Sequence, residues 1–138
     1  MPYESELIEA LYVTTDLCLI LGLIGFYLAF RSSLFWLGHL GFVIAILGLS
    51  FISGPEADFF GVSAYQLGSP VIGVGLLLLS FNFIKAKVCG YIVPASFIAS
   101  VTFGVISLFV GNSILFIVTG VSFGVGFMVL GIHVWRAS

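Results

Sequence analysis

Charged side chains are nearly missing from this sequence: 4 Lys and Arg and 6 Asp and Glu in 138 residues, or 7%. A soluble domain carries about 25%. The scarcity excludes a nucleic-acid-binding surface, which needs clustered basic residues. A net charge of −2 points to no polyanionic or polycationic partner. Cysteine is scarce as well, with Cys18 and Cys89 the only two. They fall at opposite depths, too far apart for a disulfide. There is no Cys-x-x-Cys, no His-Glu-x-x-His and no glycine-rich phosphate loop. The start, Met1-Pro2-Tyr3-Glu4-Ser5-Glu6, lacks the basic segment of a secretory signal. The first apolar stretch is therefore expected to insert directly, with its N-terminus translocated.

What the chain has in abundance is apolar surface: 61% hydrophobic residues and a mean hydropathy of +1.30. It reads as five long apolar stretches with short polar joints. Each stretch with its joint has about 28 residues, and a membrane-spanning helix needs ~20. Nothing remains for a soluble domain. The expected fold is all-α, an integral membrane bundle of five transmembrane helices, forming one domain over 1–138. The helices are expected at 11–30, 34–52, 62–84, 91–110 and 114–134. Glu4 to Ala10 reads as a separate short interfacial helix. The third helix has two possible starts, one near Val62 and one at Ser69-Pro70, where Ser caps and Pro takes the first helical position. The first start makes Pro70 a kink; the second leaves 62–68 irregular.

The few charges are sorted by sign. Arg31, Lys85, Lys87 and Arg136 sit in the first joint, the third joint and the tail; Glu4, Glu6, Glu9, Asp16, Glu56 and Asp58 sit at the N-terminal end and the second joint. Lys and Arg stay on the cytoplasmic side during insertion. The expected topology is N-terminus out and C-terminus cytoplasmic, in the cell membrane. Aromatic residues agree. Trp36, Tyr91 and Trp135 fall at the basic end and Tyr12 and Tyr65 at the acidic end, as residues of the headgroup level do.

In lipid, helices associate through close backbone contact and interhelical hydrogen bonds. Small residues mark where. The fourth helix carries Ser96, Ser100, Gly104, Ser107 and Gly111 on one face, and the fifth carries Gly120 and Gly124 four residues apart. The expectation is a tight hairpin of helices four and five through Gly104, Gly120 and Gly124. The second helix carries Gly38 and Gly41, the third Gly73 and Gly75.

Ionisable and polar groups inside the layer are costly and are the first functional candidates. Asp16 falls in the outer third of the first helix, as a proton or cation ligand or as a carboxylate within reach of outer water and bonded to Thr14, Thr15 or a neighbour helix. His39 falls near the inner end of the second helix and His133 in the last turn of the fifth. Asn82 and Ser69 lie at opposite ends of the third helix. Ser100 and Ser107 line the fourth. An ion or solute pathway would draw on Asp16, His39, Ser69, Asn82, Ser100 and Ser107.

The first expectation for function is a small non-enzymatic membrane protein that works as a homo-oligomer or as a subunit of a larger complex. Its partners are the lipid bilayer and either itself or another membrane protein, with no nucleic acid. The second is a channel or transporter for a small ion or solute. The third is a membrane-embedded metal-dependent hydrolase using His39 and His133, for which a third ligand is missing. No cofactor is named by any motif.

Overall fold

The computed structural model describes residues 2–53, 58–59 and 61–137. The rest of the acidic joint, 54–57 and Phe60, lies outside the described residues. Five α-helices make up nearly all of the structure: α1 (Pro2–Phe30), α2 (Trp36–Ile52), α3 (Ala64–Ala86), α4 (Ile92–Val110) and α5 (Ser113–Ala137). A 3-10 turn, Arg31–Ser33, joins α1 to α2. Two-residue strands β1 (Asp58–Phe59) and β2 (Val62–Ser63) pair antiparallel before α3. α1, α3, α4 and α5 are long and apolar enough to cross a membrane; α2 is shorter, at 17 residues, and equally apolar. The architecture is that of an all-α membrane bundle.

α1 is one helix where two were expected. No Pro or Gly interrupts the run from Tyr3 to Asp16, so nothing stops the helix at the interface. Its 29 residues extend about 44 Å, some 14 Å beyond a hydrocarbon layer of ~30 Å. The excess equals the acidic first turns. α3 starts at Ala64. Its cap is Ser63, whose Oγ accepts from the Gln66 N–H at 3.3 Å, and not Ser69. Pro70 lies inside a continuous helix. The α4–α5 turn closes on Gly111, in the left-handed region at φ +65°, whose N–H donates to the Ser107 carbonyl at 2.8 Å. Asn112 Oδ1 then accepts from the Ile114 N–H at 2.9 Å, capping α5.

Neighbours in sequence are neighbours in space, and α1 meets α5 to close a ring of helices. Sequential pairs run antiparallel, so α1, α3 and α5 end together at the basic end. The deepest packing lies between α2 and α3, which meet backbone to backbone. A Cβ added at Gly75 would stand 2.5 Å from the Ala45 amide nitrogen. One at Gly48 would stand 2.6 Å from the Ile72 nitrogen, and one at Gly41 2.9 Å from the Gly75 carbonyl oxygen. The stripe 38, 41, 45, 48 on α2 thus lies along 68, 72, 75, 79, 82 on α3, both in alternating steps of three and four. α3 is the central element, with 44% of its span buried against 11% for α1 and for α5.

α4 and α5 also pair, but through a different set of small residues from the one expected. Gly104 meets the Thr119 methyl, and a Cβ at Gly126 would strike the Phe97 ring at 2.6 Å. Gly120 and Gly124 are exposed and have nothing within 4 Å of an added Cβ. Around the helix they lie about 120° (Gly120) and about 160° (Gly124) from Gly126, the side of α5 given to α4. Ser100 Oγ donates across the pair to the Thr119 carbonyl at 3.0 Å.

The core is densest towards the basic end, where Leu23, Phe26, Phe83, Val93 and Phe97 are fully buried. Phe26 and Phe83 meet edge to face, their centroids 4.9 Å apart. Towards the acidic end α1 stands alone: every position from 5 to 15 is exposed. The tip of the α4–α5 hairpin is likewise bare, with Phe109 88% exposed.

The two glycine sets should respond oppositely. Gly75→Ala forces α2 and α3 apart and should cost about 1–3 kcal/mol, the range for overpacking. Gly124→Ala should leave stability unchanged or raise it by up to about 1 kcal/mol, through helix propensity. Unfolding titrations in mixed detergent micelles measure both; equal losses at the two sites would contradict this packing.

Candidate functional site: a polar cluster at the basic end of the bundle

The site is built where the 3-10 turn brings α1 and α2 together. Tyr27 and His39 stand six residues either side of Ser33. Folding at the turn therefore sets them at one level. Tyr27 Oη and His39 Nδ1 share a hydrogen bond of 3.0 Å. The Tyr27 ring stacks on Phe42, with centroids 4.1 Å apart and planes 15° apart. Stacking fixes the ring, so the hydroxyl is held towards the imidazole. Gly38, beside His39, takes the Asn82 side chain from α3: the three amide atoms would lie 2.8–3.0 Å from a Cβ there. Glycine at 38 is what lets an amide enter the seam.

Asn82 is 2% exposed, and its Oδ1 has no hydrogen-bond partner. A buried carbonyl left unpaired costs about 1–3 kcal/mol. Its neighbour Ser80, fully buried, returns its hydroxyl to the Leu76 carbonyl at 2.7 Å. Asn82 Oδ1 is thus an available acceptor in an otherwise satisfied seam.

The other predicted residues are dispersed. Asp16 is half-buried and heads the stripe Asp16, Leu19, Leu23, Phe26, Phe30, which turns towards the bundle. Thr14 and Thr15 donate to the Ala10 and Leu11 carbonyls at 2.7 and 2.8 Å, so neither hydroxyl serves Asp16. Ser69 is exposed near the acidic end of α3. Ser107 is buried and donates to the Gly104 carbonyl at 2.7 Å; Ser100 is spent on Thr119. Only His39 and Asn82 are brought close, on either side of Gly38. His133 Nδ1–H donates to the Val129 carbonyl at 2.9 Å, which leaves Nε2 as its acceptor when neutral. Among the described residues no group of three or more His, Cys, Asp and Glu could hold a metal ion.

The Tyr27–His39 pair went unread in the sequence. The signal was the equal distance of the two residues from a tight turn. Compared with known protein families, curated proteins and solved structures, the chain matches none.

Cys89 lies in the joint between α3 and α4, 4% exposed, and burial pushes its thiol up to about 11. The thiolate is the reactive form. In a Cys18→Ala background, alkylation should be slow at pH 8 and still climb tenfold per unit at pH 10. A rate that levels off near pH 9, as for an ordinary thiol of pKa about 8.5, would contradict the burial.

Proposed function

We propose that the chain is a non-enzymatic, five-span membrane protein that works in an assembly, with copies of itself or with another membrane protein. Its N-terminus is outside and its C-terminus cytoplasmic, in the cell membrane. The sorting of charge by sign supports that orientation. α2, at 17 residues, supports a fifth span, since about 17 is the lower limit for crossing.

One observation carries the assembly reading. Gly120 and Gly124 lie mid-helix and exposed, and an added Cβ at either meets nothing within 4 Å among the described residues. Glycine within a helix is destabilising by roughly 0.5–1 kcal/mol relative to alanine. The glycines of the α2–α3 seam recover that loss in backbone contact. These two recover nothing within one chain. A helix from another chain lying against them recovers it, because close approach at small residues is what joins helices in lipid.

A second reading, transport of a small ion or solute, draws on two observations. Asp16 is turned towards the bundle above the level where the core closes, and Asn82 Oδ1 is unpaired. Phe26, Phe83 and Phe97 close the basic end of one chain, so a pathway of this kind runs between copies.

Native mass measurement in mild detergent tests the assembly. The expected result is a stoichiometric complex that Gly120→Leu and Gly124→Leu break down, while each chain melts as the parent does. A lone monomer for the parent at all protein concentrations would remove the reading. Flux into vesicles that is abolished by Asp16→Asn would favour transport by the assembly.

A further inference from the structure

The α2–α3 seam keeps one antiparallel register along its length. Ala45 lies against Gly75, Gly41 against Leu78 and Leu79, and Gly38 against Asn82. One turn further on, Phe35 lies against Lys85, whose Nζ is 4.9 Å from the centre of the Phe35 ring. The seam therefore ends at the first turn of α2, with two polar side chains of α3 laid over it.

That turn is uncapped. Phe35 stands at the cap position, no side chain bonds to the turn, and no acidic residue lies in it. The first N–H groups of a helix have no partner within the helix. The Gly38 N–H turns back to the Phe35 carbonyl at 2.8 Å; those of Trp36 and Leu37 make no such bond among the described residues. Aligned peptide dipoles give this end a partial positive charge. The seam brings the Lys85 ammonium to the same end, with no carboxylate in the turn to balance the two.

Asn82 is the independent sign. It is 2% exposed, and its amide atoms lie 2.8–3.0 Å from where a Gly38 Cβ would stand. A helical Cβ leans towards the N-terminus, so the amide overlies the uncapped turn. Of its two polar atoms Oδ1 is the sealed one; Nδ2, with two N–H donors, has no partner among the described residues either. Backbone N–H groups, an amide NH2 and an ammonium thus meet at one positive helix end. Together they suit an anion with several oxygens, a phosphate. Trp36, 71% exposed in the same turn, marks the headgroup level, which a phosphate in solution and one on a lipid both reach.

We propose that the first turn of α2 is a binding site for a phosphate group. The phosphate oxygens accept from the Trp36 and Leu37 N–H groups, from Asn82 Nδ2 and from the Lys85 ammonium. All of these donors belong to one chain, so the site does not depend on the assembly described above. Nor does it depend on which side of the membrane the basic end faces.

The experiment uses NMR of the isotope-labelled full chain in maltoside micelles, without phosphate in the buffer. Inorganic phosphate is added in one arm and phosphatidylglycerol in the other. The backbone amide signals of Trp36 and Leu37 and the side-chain amide signals of Asn82 should move and saturate. A response to inorganic phosphate shows that the free ion suffices; a response to the lipid alone assigns the site to a headgroup. Lys85→Gln should weaken binding about fivefold, the effect of one basic residue near an anionic group. Lys87→Gln removes the same charge after α3 has ended and should leave binding nearly unchanged. Asn82→Leu keeps the size of the side chain and removes an unpaired buried acceptor. It should melt no lower than the parent and bind about tenfold more weakly, the loss of one hydrogen bond to a charged group. Signals that do not saturate in either arm would overturn the proposal. So would equal weakening by the two lysine variants, or parental binding by Asn82→Leu.

Discussion

The backbone contact between α2 and α3 is the constraint on which the rest of the structure depends. In lipid there is no hydrophobic drive to bring two apolar helices together. What remains is dispersion and weak Cα–H···O contact, and both need the helix axes close. Gly41, Gly48, Gly68 and Gly75 remove the side chains that would hold the axes apart. Ala45, fully buried between them, brings only a methyl to the seam. α3 is fixed by this seam and presents its other side to α4, which brings α5 with it. α1 is then held at its basic end, by Phe26 against Phe83 and by Tyr27 against His39 and Phe42.

Glycine thus has two roles in one chain, and the difference is geometric. In the seam it is surrounded; at Gly120 and Gly124 it faces outward. Outward glycine is destabilising to the isolated chain, so its value lies in what the chain touches. The hydrophobic surface is distributed in the same way. The bundle is closed at its basic end and open at its acidic end, where α1 and the α4–α5 tip share little with the other helices. The assembly reading rests on the outward face of α5 at Gly120 and Gly124, away from the closed core.

Much of the fold was legible because the bilayer leaves few options. Apolar run length gave the five helices, and Gly111-Asn112-Ser113 and Arg31-Ser32-Ser33 gave two of the turns. The start of α3 was ambiguous between Val62 and Ser69-Pro70; the helix begins at Ala64, capped by Ser63 at the end of β2. The interfacial break in α1 was expected from polarity alone, but helix propensity runs unbroken through Glu6 and Glu9. Pairing was the least legible part. Gly38, Gly41 and Gly75 were visible as small residues, yet their register with Gly48 and Gly68 is set by how the two helices cross, which periodicity does not encode. Gly120 and Gly124 have the same spacing as a buried pair and face outward. Of the candidate site, His39 and Asn82 were legible by type. Tyr27 and the glycine that admits Asn82 were not, because each acts only through a residue on another helix.

The central claim is the backbone contact of α2 with α3, and magic-angle-spinning NMR of the chain in lipid bilayers tests it most directly. With glycine and alanine labelled, the account predicts a through-space cross-peak between Gly75 Cα and the Ala45 methyl. Its absence, in spectra where the intrahelical contact between Ala45 and Gly48 is visible, would contradict the account.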